Sequence, residues 1–223
     1  MVDLADHGAE GLAPALFWPG PSTVRLYTPW ALLAGMRADM ASGAEAGWLP
    51  LFESALLHHA DLVTSPSRDL AARVQTFFDL PVEIPIVPNP VDTDAFRPPA
   101  RDDGRLRVCF VGRLEERKGI RTLLEAIPLV LDRAPSVEFE IVGPDPFGLE
   151  ATLREEHRDR VVFRGRVPLA ALASVYRRAA IAVVPSTYDN SPYTCIEPMA
   201  CGRPVVGTTG GGIREYVVDG ESA

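Results

Sequence analysis

Apolar runs rich in β-branched residues alternate along this chain with stretches whose apolar positions recur every three or four residues. "TVRLYTP" predicts a strand, residues 50–59 a helix, "ADLVTSP" a strand, residues 67–78 a helix and "EIPIVPNPV" a third strand. Alternation of this kind predicts a parallel sheet covered by helices, because each crossover between parallel strands is long enough to hold one. "DTDAFRPPARDDGR" then breaks the pattern with proline, glycine and charge, and is read as a domain linker over residues 94–104.

A second series follows the break. "LRVCFVGR", "VEFEIVGPD", "VVFRGRV", "IAVVPS" and "RPVVGT" predict strands, with helices over 119–134, 149–157, 169–179 and 192–200 between them, and "IREYVVDG" closes the series. Leu123, Leu124, Ile127, Val130 and Leu131 form the stripe of a buried helical face, and Pro128 within it predicts a kink. Residues 105–223 therefore predict a doubly wound domain of about five strands, in which ligands sit beyond the carboxyl ends of the strands. Residues 1–93 hold only about three predicted strands, fewer than such a sheet usually has. The expectation is an α/β chain with two Rossmann-like domains, the N-terminal one incomplete, and with both ends cut.

Composition narrows the function. Of 223 residues, 47% are hydrophobic and 23% charged, the balance of a soluble globular protein with a real core. Lys and Arg number 22 against 30 Asp and Glu, a net charge of −8, which excludes a broad basic face for nucleic acid. The expected partner is a small molecule. Cys109, Cys195 and Cys201 lack metal spacing and sit in or near apolar runs, so reduced thiols in a cytoplasmic protein are expected. "LAPALFWPGP" is too short and too broken by proline to span a bilayer, and an acidic stretch precedes it, unlike a signal peptide. Peripheral membrane contact, which needs only a patch, is compatible with this reading. His7, His58, His59 and His157 show no ligand spacing, and no metal is expected.

Two stretches carry candidate chemistry. In "VGRLEERKG" a buried strand ends at Gly112, and Arg113 and Lys118 flank a helix start. Gly112 permits a tight turn, and the helix N-terminus adds positive potential to the two cations, a setting for a diphosphate. Pairing of these cations with Glu115 and Glu116 on the surface explains the same residues equally well. In "STYDNSPYTCIEPMACGRPVVGTTGGG" a strand leads to a polar loop and then to a helix opened by Pro192. The amides of Tyr193 and Thr194 would face the crevice, Glu197 could accept from a ribose diol, and Asp189 stands just past the strand. A capping role for Asp189 and a solvated helix position for Glu197 are the plainer alternatives. Glycines 210 to 212 suit either close approach to a ligand or a mobile loop. "FRGRV" could offer the backbone at Val167 to a base edge, or form a simple turn. No glycine-rich dinucleotide fingerprint or serine-hydrolase elbow is present.

The order of the blocks "ADLVTSPSRDLAARV", "IVPNPVDTDAFRP", "VCFVGRLEERKGIRTLLEAI", "FEIVGPD", "VVFRGRV" and "IAVVPSTYDNSPYTCIEPMACGRPVVGTTGGGIREYVVDG" resembles the retaining GT4-type glycosyltransferases of the GT-B fold. The likeness is strong over about residues 60–223 and weak before them. It implies a hexosyltransferase that moves a sugar from a UDP-, GDP- or ADP-sugar to a glycan, lipid or small-molecule acceptor, with no separate cofactor. By position, Arg113 and Lys118 match the basic pair that stabilises the leaving diphosphate. Val167 matches the backbone contact to the base, Tyr193 and Thr194 the amides near the phosphates, and Glu197 the ribose ligand. Asp189 stands where the family has a glutamate facing the transferred sugar, Pro192 replaces a common glycine, and Tyr27 replaces a common histidine. Asp189, Pro192 and the expected missing ends support one rival, a degenerate nucleotide-sugar-binding module without turnover; a second rival is a GT-B-fold nucleotide-sugar epimerase, which should need additional carboxylates that the sequence does not offer. A fragment that does not fold stably is a further possibility.

Overall fold

The computed structural model describes residues 1–36, 45–101 and 103–221. Asp102 of the predicted linker and Ser222 and Ala223 at the end of the predicted second domain lie outside the described residues. The chain divides into two compact units, Met1–Asn89 and Pro90–Ala223.

The first unit is built on three parallel strands in the order β1 (Val2–Ala5), β2 (Ser22–Arg25) and β3 (Leu62–Thr64). Helix α1 (Leu12–Phe17) connects β1 to β2, and α2 (Trp30–Met36) and α3 (Glu45–His59) lie between β2 and β3. Helix α4 (Arg68–Phe78) starts at Ser67, whose hydroxyl accepts from the Leu70 amide at 3.3 Å, a side-chain N-cap. Leu4, Val24, Leu56, Leu57, Leu70 and Val74 meet in its core. The number of strands agrees with expectation, but their identity does not. "VDLA" pairs with β2 although its single acid and short length give little strand signal. "EIPIVPNPV" contributes only the isolated bridge between Ser65 and Ile86, because Pro85, Pro88 and Pro90 have no amide to donate to a ladder.

The second unit is a five-stranded parallel sheet with the order β6-β5-β4-β7-β8. Its strands are β4 (Arg107–Val111), β5 (Glu138–Val142), β6 (Val161–Gly165), β7 (Ile181–Val184) and β8 (Val205–Gly207). Helix α5 (Ile120–Arg133) packs Ile120, Leu123, Ile127 and Leu131 with Phe110 on one face. Helices α6 (Leu169–Arg178) and α7 (Tyr193–Ala200) bring Ala173, Tyr176, Cys195 and Cys201 against Cys109 on the other. Adjacent Cys109 and Phe110 thus serve opposite faces, as the pleat requires. Helix α5 continues through Pro128.

Two further sequence expectations are corrected. Residues 149–157 are not a helix but parts of two 3-10 turns, Leu149–Thr152 and Glu155–Arg160, separated by extended Leu153 and Arg154. "REEHRDR" offers no apolar stripe to bury, and a helix without tertiary packing is marginal in water. "IREYVVDG", which closes the series, starts within a 3-10 turn, Gly212–Glu215. The stretch read as a linker belongs to the second unit, which begins at Pro90. Phe96 is buried there with its ring centroid 6.2 Å from that of Tyr176, and Arg177 donates to the Ala95 carbonyl at 3.1 Å.

Candidate functional site

β4 and β7 are neighbours, paired at Val108 with Ile181 and Cys109 with Ala182, and the chain leaves β4 for β5 on the other side. This is the switch point of the sheet, where loops diverge and leave a crevice beyond the strand ends. The loop after β4 carries Gly112, Arg113 and Lys118, and the loop after β7 carries Asp189 and the start of α7.

Gly112 has φ +156, and its carbonyl lies so close to Gly143, after β5, that a side chain at Gly143 would overlap it. The two strand ends are thereby held together. A short 3-10 turn, Glu116–Lys118, follows and ends at Gly119, which has φ +70. A Cβ at Gly119 would collide with the Pro185 carbonyl, so only glycine lets α5 start this close to the end of β7.

Arg113 and Lys118 have different surroundings. Arg113 is 60% exposed and meets Glu115 at 3.2 Å, the surface pairing that the sequence left open. Lys118 turns inward, and its Nζ lies 2.5 Å from Asp189 Oδ2. Asp189 is buried, its carbonyl accepts from the Gly212 amide at 2.8 Å, and its backbone bridges to Gly211. Asp189 is therefore neither solvent-facing nor a helix cap.

Arg117, which the sequence reading passed over, ties the two loops together. Its Nη1 donates to the Tyr188 carbonyl at 3.1 Å, its Nη2 meets Glu115 at 3.1 Å, and its own carbonyl accepts from the Thr187 amide at 2.9 Å. No sequence signal separates it from its charged neighbours, because its role depends on a contact 71 residues away.

The glycine run braces the same loop. A Cβ at Gly210 would overlap the Thr187 carbonyl, and one at Gly211 the Asp189 carbonyl and the Tyr188 ring. These glycines are explained by close approach to the protein's own backbone. Ser191 Oγ and the Tyr216 hydroxyl, 2.6 Å apart, close the other side of the loop.

Tyr193 and Thr194 are the first two residues of α7, where backbone amides have no intrahelical acceptor. Pro192 is the N-cap, with φ −73 and ψ 123, and not the first helical residue, a shift of one position. Glu197, one turn on, is buried. Burial pushes its carboxyl up to about 7, and the nearby Tyr176 hydroxyl pulls it back down. That hydroxyl approaches Glu197 without reaching good hydrogen-bond geometry, and it is otherwise buried and unpartnered. Val167 is half-buried just past β6, three strands from β7 in the sheet order, about 14 Å by strand spacing. Lys118 and Asp189 therefore form a direct pair, Tyr193 to Glu197 follow on the next helix, and Val167 stands apart. Among the described residues no group of three or more potential ligands could hold a metal ion, and no helix is long and apolar enough to cross a membrane.

Residues 105–223 match the Glycosyl transferases group 1 family. Over 98% of its length the chain is 31% identical to a GDP-mannose-dependent alpha-(1-6)-phosphatidylinositol monomannoside mannosyltransferase of Mycolicibacterium smegmatis. Over 75% it is 32% identical to a D-inositol 3-phosphate glycosyltransferase of Segniliparus rotundus. It spans 63% and 41% of the lengths of these two relatives. Among solved structures, sucrose-phosphate synthase of Thermosynechococcus elongatus aligns with TM-score 0.81 and 25% identity, over 97% of this chain and 58% of that one. HepE of Anabaena, solved in complex with UDP and glucose, aligns with TM-score 0.70 and 20% identity over 94% of this chain and 58% of its own, a likeness of fold. These neighbours are GT-B glycosyltransferases, so the α/β, parallel-sheet fold is GT-B-like. The chain belongs to the Glycosyl transferases group 1 family.

Proposed function

We propose that this chain carries the donor half of a retaining hexosyltransferase that takes a sugar from a UDP-, GDP- or ADP-sugar to a glycan, lipid or small-molecule acceptor. The observation that supports this best is the pairing of Lys118 with Asp189 at the switch point, directly before α7. As the bond from the anomeric carbon to the diphosphate oxygen breaks, negative charge grows on the leaving group. In this reading Lys118, Arg113 and the first amides of α7 offset that charge as it develops, which is where electrostatic catalysis acts. Asp189 then holds the sugar hydroxyls and Glu197 the ribose diol, with the Val167 backbone against the base. In this reading Lys118, Arg113 and the start of α7 offset the diphosphate charge without a metal.

A second reading has an observation of its own. Asp189 is one methylene shorter than the family's acid and is already engaged by Lys118, which suits a module that binds the donor without transferring its sugar. Titrating the chain with UDP-glucose, GDP-mannose and ADP-glucose, and assaying sugar release, separates the two. Saturable binding that Lys118→Ala weakens by about tenfold or more, with turnover, supports the transferase. Binding without turnover selects the module, and no saturable binding of any donor overturns both.

A further inference from the structure

β5 carries an acid in an otherwise apolar run. Glu140 stands between Phe139 and Ile141, which pack on the α5 face, so its side chain points to the α6 face, where it is only 2% exposed. A carboxylate held this far from water persists only when it is paired.

The pairing is specific in its geometry. One oxygen, Oε1, accepts from Arg178 Nη2 at 2.7 Å and from Arg164 Nε at 3.1 Å. Arg164 belongs to β6 and Arg178 ends α6, so a single buried oxygen ties down both ends of the segment 164–178, which contains Val167. Val167 borders the same surface groove as Glu140, Arg164 and Arg178. Arg107 of β4 stands 4.0 Å from the other oxygen and donates from Nη1 to the Arg178 carbonyl at 2.8 Å, which anchors the clamp on the central strand.

The backbone is irregular at the clamped residue. β5 and β6 pair Ile141 with Phe163 and then Val142 with Gly165, so Arg164 is an extra residue, a β-bulge. Gly165 follows with φ +60, and its carbonyl accepts from the Gly143 amide at 2.8 Å. A bulge interrupts the ladder and bends the strand, so the direction in which the chain leaves the sheet depends on what holds the bulged residue. Here Glu140 holds it.

We infer that Glu140 and Arg164 are positioning residues that set the direction of the loop after β6 and, through it, the selectivity for the base of the donor. The inference rests on the reading that the Val167 backbone faces that base. Backbone groups tell bases apart by where a donor or acceptor is aimed, because a hydrogen bond weakens steeply as it bends. Neither side chain has to touch the donor for this. In the same reading the diphosphate is held from the loops after β4 and β7, so base selectivity and phosphate affinity separate in an experiment.

The test is calorimetric titration of the full chain with UDP, GDP, ADP and inorganic pyrophosphate, in the wild type, Arg164→Met and Arg164→Lys. Arg164 is 50% exposed, and its loss leaves Glu140 with Arg178 and Arg107, so the fold is expected to survive, as circular dichroism checks. The wild type is expected to prefer one nucleotide by about tenfold or more. Arg164→Met should weaken that nucleotide about tenfold and bring the three within about threefold of one another, with pyrophosphate affinity unchanged. Arg164→Lys, which can supply the single bond that Nε makes, should keep the preference. The inference alone is overturned by a preference undiminished in Arg164→Met, by an equal loss in Arg164→Lys, by a loss that falls equally on pyrophosphate, or by a wild type that binds all three nucleotides alike. No saturable binding of any nucleotide by the wild type overturns the donor reading and the inference with it.

Discussion

Lys118 and Asp189 join the loops after two adjacent strands, Nζ to Oδ2 at 2.5 Å, across 71 residues of sequence. Both side chains are largely buried, at 20% and 10% exposure, so removing one partner strands a charge. Lys118→Ala is expected to destabilise the second unit by about 2 kcal/mol, discounted from a fully buried pair because the lysine keeps some water. Lys118→Met with Asp189→Leu should cost less than the two single changes together. Chemical denaturation in a double-mutant cycle gives the coupling, expected at about 1–3 kcal/mol; a value near zero shows that the pair is incidental.

The same pair makes an opposed prediction about ligands. Asp189→Asn releases Lys118, so a nucleoside diphosphate should bind about tenfold more tightly. If Asp189 also faces the transferred sugar, sugar transfer should fall by about a hundredfold or more in the same variant. Titration and a transfer assay check both. Unchanged nucleotide affinity would sink the role of Lys118 as a diphosphate ligand.

Two glycines with nearly the same φ should respond differently to alanine. Gly119 and Gly148 lie at +70 and +65, but a Cβ at Gly119 meets the Pro185 carbonyl while one at Gly148 meets nothing within 4 Å. Gly148→Ala should cost only the backbone strain of a left-handed residue, about 1 kcal/mol. Gly119→Ala should cost that plus displacement of β7 from α5, about 3 kcal/mol or more. Thermal and urea denaturation of the two variants compare them directly.

Glu197 gives a pH dependence whose sign is fixed by its burial. Its folded value, about 7, is above its ordinary 4.5, so its contribution to stability is full below 4.5 and is lost as pH rises through 7. Asp6, buried at the end of β1 and raised to about 6 by burial, acts in the same direction on the first unit between 3.8 and 6. Glu197→Gln should therefore flatten the fall in stability of the second unit between about pH 5 and 8. If the carboxylate accepts from a ribose diol, donor affinity should rise over the same range in the wild type and not in this variant. Denaturation and titration series across pH test the two effects separately.

The alternation of apolar runs and helical stripes was enough to read two parallel-sheet units and five strands of the second. Failures fell where local pattern is weak: "VDLA" is too short to announce itself, and "REEHRDR" has the composition of a helix but no face to bury. Pairing with β2 decided the first, and lack of a packing partner decided the second. At the site, residue types and order placed Gly112, Arg113, Lys118, Asp189 and Glu197 on the correct loops and helix. They could not distinguish Arg113 on the surface from Lys118 turned inward, nor single out Arg117.

The sequence by itself determined which segments become strands of the second sheet and which carry charge beyond their ends, because periodicity and glycine placement act locally. Tertiary structure alone decided that Lys118 meets Asp189, that Arg117 bridges to Tyr188, and that the glycine run braces the chain's own loop. The first two join segments about seventy residues apart and exist only once β4 and β7 lie side by side, and the third packs backbone on backbone once β7 and β8 do.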